Sequence, residues 1–132
     1  MLKDQDIYTK QENKNIATIW HNPKCSKSRE AYNIIEMMHQ PVKSFEYLNE
    51  IITKDQILDI MKKLEISDIR DMLRDGEEEY KTYDLSNKDK TQDEIIQVVL
   101  DNHILIQRPI IIKNNKAVIA RPMDNLIKLL EK

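Results

Sequence analysis

The hydrophobic positions of this chain fall into short β-branched runs and longer segments of helical period, and the two kinds alternate. Residues 16–20 form an apolar run that predicts a buried strand. A polar turn with Pro23 and Cys25 follows, after which Ala31, Ile34, Ile35 and Met38 repeat at i, i+3, i+4 and i+7. That spacing predicts a helix leaving the strand's end, with Cys25 at or just before its first turn. Gln40-Pro41 stops the helical period, and residues 42–48 predict a second strand, parallel to the first through a right-handed crossover.

Further along, Thr53-Lys54-Asp55-Gln56 has capping-box form ahead of Ile57, Ile60, Met61 and Leu64, which predicts a helix over 53–64. Ser67 is positioned to cap a shorter helix over 68–74, with Gly76 closing it. Glu77-Glu78-Glu79 reads as solvated surface, and Thr91-Gln92-Asp93-Glu94 repeats the capping box before a helix to about residue 102. Residues 110–112 predict a third strand, Asn114-Asn115 a hairpin turn and 117–120 a fourth strand. The last helix is expected from Arg121-Pro122, burying Leu126, Leu129 and Leu130. Residues 1–15 keep no period and read as a flexible N-terminal tail, which leaves 16–132 as a single domain.

Composition narrows the chemistry. Lysine and arginine number 21 against 23 acidic residues, so there is no electrostatic case for nucleic acid or an anionic membrane, and any anion site must be local. The single glycine excludes the glycine-rich phosphate loops. The single cysteine cannot form an internal disulfide, so redox chemistry at Cys25 would need a sulfur from another molecule. With no apolar segment of membrane or signal-peptide length, the expected compartment is a reducing cytoplasm.

Cys25 is the candidate nucleophile. Unpaired N–H groups and the positive end of the dipole at a helix start favour thiolate over thiol. Lys24, Lys27 and Arg29 flank it, and His21 lies four residues upstream. The same N–H groups can hold an oxyanion, whose charge arginine compensates best.

The run His21-Asn22-Pro23-Lys24-Cys25-Ser26-Lys27-Ser28-Arg29, with the later Arg108-Pro109 and Arg121-Pro122, resembles the ArsC family of arsenate reductases that work with glutathione and glutaredoxin, a thioredoxin-like branch. The resemblance implies an α/β fold with a thioredoxin-like four-stranded mixed sheet and a helical insertion between strands 2 and 3. It implies an arsenic-detoxifying enzyme with glutathione as co-substrate, and the expected protein is a cytoplasmic monomer with no bound cofactor or metal. Its carried-over site is Cys25 as nucleophile, His21 in the cysteine's environment, and Arg74, Arg108 and Arg121 on the oxyanion, with Arg70 an alternative to Arg74. Ser28 and Arg29 complete the oxyanion-binding set, Asn22 supports the loop, and Pro109 corresponds to the cis-proline that faces the cysteine. On this basis replacement of Arg108 or Arg121 is expected to stop turnover while leaving the thiol reactive. His103-Ile104 departs from the family's usual His-Pro. Two other functions share these residues: a glutathione-dependent thiol oxidoreductase of another substrate, and an Spx-like regulator that binds RNA polymerase, which would usually carry a second cysteine where Ser28 stands.

Overall fold

The computed structural model describes residues 16–131; the expected tail over 1–15 lies outside them. The first strand, β1 (Ala17–Trp20), runs into the first helix, α1 (Ser26–Met37), and returns in β2 (Val42–Phe45). The insertion then comprises α2 (Lys54–Leu64), a 3₁₀ turn (Ile69–Met72), α3 (Glu78–Thr82), α4 (Gln92–Asp101) and a second 3₁₀ turn (His103–Leu105). The hairpin of β3 (Ile110–Lys113) and β4 (Lys116–Ile119) and the helix α5 (Asp124–Leu130) complete the chain.

The four strands order as β2-β1-β3-β4, with β1 parallel to β2 and antiparallel to β3. Side-chain alternation makes the two central strands apolar on both faces. Ala17, Ile19 and Ile111 pack with Ala31 and Ile35 of α1 and with Leu126, Leu129 and Leu130 of α5. Trp20, Ile110 and Ala117 point the other way, into a core supplied by the insertion through Ile57, Ile60, Ile69, Met72, Ile95 and Val99. Both faces are therefore covered by helix, the arrangement a sheet with a parallel pair requires.

Local signals explain the boundaries. Both capping boxes close, Thr53 with Gln56 and Thr91 with Glu94. Asn114 and Asn115 both adopt left-handed φ, 54° and 66°, as a two-residue hairpin turn demands.

Three expectations need correction. The helix expected over 68–74 is a single 3₁₀ turn capped by Asp68 rather than Ser67. Leu73 turns extended to bridge Ile106, and this long-range pairing overrides the local helical pattern, so Gly76 closes no helix. The second strand stops at Phe45, where the Tyr47 N–H turns back to the Phe45 carbonyl, 2.9 Å. The last helix begins at Asp124, and Arg121-Pro122, a cis bond, lies in the turn before it.

Candidate active site

The loop after β1 is built by Asn22 and Ser28, both buried. Asn22 accepts from the Cys25 N–H through its carbonyl (2.9 Å) and from the Lys24 N–H through Oδ1 (3.1 Å). Its own N–H donates to Ser28 Oγ, 3.0 Å, and His21 Nδ1 lies 2.7 Å from the same oxygen. Arg29 Nη1 donates to the Pro23 carbonyl, 2.8 Å, closing the outer side of the turn. Ser28 thus holds the loop's entry to its exit. The Ser28→Ala variant leaves the buried Asn22 N–H without an acceptor, and thermal denaturation should find it destabilised by about 1–3 kcal/mol.

Cys25 becomes the N-cap residue of α1, with extended backbone at φ −94° and ψ 125°. Its thiol is half-buried and unpaired. Burial pushes its pKa up, but the Ser28 N–H, the Arg108 guanidinium and the Lys27 N–H together outweigh burial and bring it below the ordinary value. The two N–H groups face the sulfur without closing capping hydrogen bonds of standard geometry, so they act mainly as dipoles.

The source of positive charge therefore differs from the sequence expectation. The Lys24, Lys27 and Arg29 side chains point to solvent, and Lys27 pairs loosely with Glu30 at 3.7 Å. Burial lowers the pKa of His21, with Glu46 opposing and Arg29 adding, which favours a neutral imidazole engaged with Ser28 over a protonated one beside the sulfur. The cation that acts on the thiol is Arg108, 83 residues away in sequence.

Arg108 is delivered by the insertion. The Gln107 N–H donates to the Met72 carbonyl and the Arg74 N–H to the Leu105 carbonyl, each at 2.8 Å, clamping the segment before β3. Arg108-Pro109 is a cis bond, in keeping with the resemblance, and the Pro109 carbonyl accepts from the Ala120 N–H at 3.0 Å. Arg121 Nε donates to the Arg108 carbonyl, 2.6 Å, tying the turn after β4 to the same place. The exposed Arg121 side chain also lines a cleft of about 440 Å³ with Gln107, Ile119 and Asn125.

Arg108 Nε and Nη1 are buried and have no hydrogen-bond acceptor among the described residues. Arg74 Nη1 is buried in the same condition, although it stands 2.9 Å from Glu77 Oε1 in an ion pair whose angle is not that of a hydrogen bond. Arg74 is therefore held by Glu77 on the neighbouring segment, whereas Arg108 is the cation at Cys25. Arg70 is committed elsewhere: its Nε and Nη2 donate to the carbonyls of Leu85 and Asn87 and its Nη1 reaches Asp68. That leaves it no free face for an anion.

Sequence reasoning missed Tyr47, which it placed inside the second strand. The side chain is fully buried and its ring stacks on Trp20 at 6.1 Å and 19°. His103 Nδ1 lies 2.8 Å from the Tyr47 carbonyl, and the Tyr47 hydroxyl has no partner among the described residues. The only signal was a tyrosine directly after a charged residue at a strand end, too common to single out.

A half-buried thiol of lowered pKa at the start of the first helix, with a cis-proline leading into the third strand of a β-α-β then β-β-α sheet, defines the thioredoxin-like class. Within that class the chain belongs to the ArsC family, whose profile matches residues 20–129. It is 39% identical over 113 residues to an arsenate reductase of Haemophilus influenzae, covering 85% of this chain and 97% of that one. It is 32% identical over 111 residues to the uncharacterized protein YfgD of Escherichia coli K12, covering 84% and 93%. The solved structure of an arsenate reductase from Vibrio cholerae superimposes with a TM-score of 0.84 at 30% identity, covering 87% and 98%.

Proposed function

We propose that the protein reduces arsenate to arsenite through a covalent adduct on Cys25. The observation that carries this is the Arg108 guanidinium, which acts on the thiol and keeps two buried nitrogens without acceptors. A tetrahedral oxyanion supplies the missing lone pairs. The kinship with arsenate reductases selects arsenate among such anions.

In this mechanism the Cys25 thiolate attacks arsenic, a sulfur–arsenic bond forms, and one arsenate oxygen departs as water after taking up protons. Arg108 compensates the oxyanion's charge, with Arg121 and Arg74 as the further arginines of the set and Ser28 and Arg29 holding the loop. A glutathione thiol then attacks Cys25 Sγ. The sulfur–arsenic bond breaks with its electron pair left on arsenic, giving arsenite and a Cys25–glutathione mixed disulfide, so two thiols are oxidised as arsenic gains two electrons. Glutaredoxin removes the glutathione by thiol–disulfide exchange, and with one cysteine in the chain a second sulfur has to come from outside.

The test is arsenate-dependent NADPH consumption in the presence of glutathione, glutathione reductase and glutaredoxin. Turnover that needs both thiol components is the expected result. Turnover with thioredoxin in place of glutathione and glutaredoxin would refute the route, and none from a folded protein would refute arsenate as substrate. The lowered thiol pKa gives an independent check: the rate of Cys25 alkylation against pH should inflect below the ordinary cysteine value of about 8.5.

A further inference from the structure

Tyr47 is a feature of the site that the reductase mechanism does not use. Its side chain is wholly buried, yet its hydroxyl hydrogen-bonds to nothing among the described residues, in a fold where the Asn22 and Ser28 side chains are both paired. Buried hydroxyls are rarely left so, because desolvation without a partner costs free energy. The position is nevertheless fixed from several sides. Trp20 stacks on the ring, the backbone N–H is tied to Phe45 and the carbonyl to His103.

The phenol lies within the electrostatic reach of Arg108, Cys25 and Arg121. Arg108 acts on it both by charge and as a close side-chain donor, although the hydroxyl closes no hydrogen bond of standard geometry among the described residues. Burial, opposed by these arginines and reinforced by the thiolate, pushes the Tyr47 pKa up to about 12, so the group keeps its proton across the working range. One O–H and the two Arg108 nitrogens are thus buried donors lacking acceptors near one sulfur. The complementary ligand is rich in acceptors, with oxygens pointing in several directions.

We propose that the Tyr47 hydroxyl donates a hydrogen bond to an oxygen of the oxyanion held at Cys25 and Arg108, making Tyr47 a substrate-binding residue. The inference rests on the oxyanion chemistry proposed above and adds a neutral donor to it. Such a donor orients one oxygen without adding charge, and it does not compete with the thiolate for a proton.

The test uses Tyr47→Phe, which keeps the ring that stacks on Trp20. Inorganic phosphate and inorganic arsenate are titrated as protectants of Cys25 against iodoacetamide, without glutathione so that no turnover occurs. The variant should need about tenfold more of either anion for half-protection, the loss of one hydrogen bond to a charged acceptor. Without anion it should melt no lower than wild type, because the deleted hydroxyl had no partner; a merely structural hydroxyl would lower the melting temperature instead. Equal protection of the two proteins would overturn the proposal, and so would absence of protection in wild type. Protection in wild type with the tenfold loss in the variant, but no arsenate reduction, would refute the reductase while leaving Tyr47's role standing. Should the variant not fold, the ¹³Cζ resonance of Tyr47 in wild type decides: it should move on phosphate addition with the midpoint of protection, and a stationary resonance would overturn the proposal.

Discussion

Cys25→Ser should abolish arsenate turnover, a fall of about 10⁴-fold or more, while leaving the protein folded and able to bind anions. A serine hydroxyl stays protonated where the thiol ionises, and it can form no disulfide with glutathione. The N-cap position itself favours serine, so α1 loses nothing at its start. Removing the thiolate also removes the negative charge that competes with an incoming anion for Arg108. Phosphate should therefore raise the melting temperature of Cys25→Ser at least as much as that of wild type. The coupled NADPH assay and a phosphate thermal-shift series check the two halves separately, and measurable turnover in the variant would remove Cys25 from the mechanism.

Arg108→Ala should fail twice. Arg108 helps bring the Cys25 pKa down, so its loss moves the alkylation inflection upward toward about 8.5 and slows alkylation near neutral pH. The structure predicts the opposite of the sequence-based expectation that the thiol stays fast in this variant, since the guanidinium acts on the sulfur as well as on the proposed oxyanion. The second loss is the pair of buried donors, for which turnover should drop by about 10²- to 10³-fold. Raising the pH separates the effects: it restores the thiolate but not the donors, so turnover stays low at a pH where alkylation has recovered. An unshifted alkylation profile would show that Arg108 does not reach the thiol. Arg108→Lys restores charge without the planar fork and should recover the alkylation profile better than turnover.

Much of the fold was legible because its signals are local. The two capping boxes, the asparagine pair between β3 and β4, and the apolar period after Cys25 each need only neighbouring residues to act, and each forms as expected. Where a distant segment intervened, local signals failed. Residues 68–74 carry a helical pattern, yet Leu73 is drawn into an extended bridge with Ile106, because pairing there clamps the insertion to the start of β3. Arg121-Pro122 carries the local signal of a helix start, yet α5 begins only at Asp124, since sequence spacing does not distinguish a proline in a first helical turn from one in the turn before it.

The same division runs through the site. By itself the sequence determined a lone cysteine at a helix N-terminus and a loop rich in hydrogen-bonding side chains to hold it; these follow from residue type and short spacing. Only the tertiary structure decided which charges the cysteine meets. The lysines and arginine beside it in sequence point outward, and His21 is turned to Ser28, whereas Arg108 and Tyr47 arrive from segments that the sheet and the insertion bring together. The physical reason is that an electrostatic environment depends on distance and burial in space, and sequence separation carries no information about either once the chain has crossed from one strand to another.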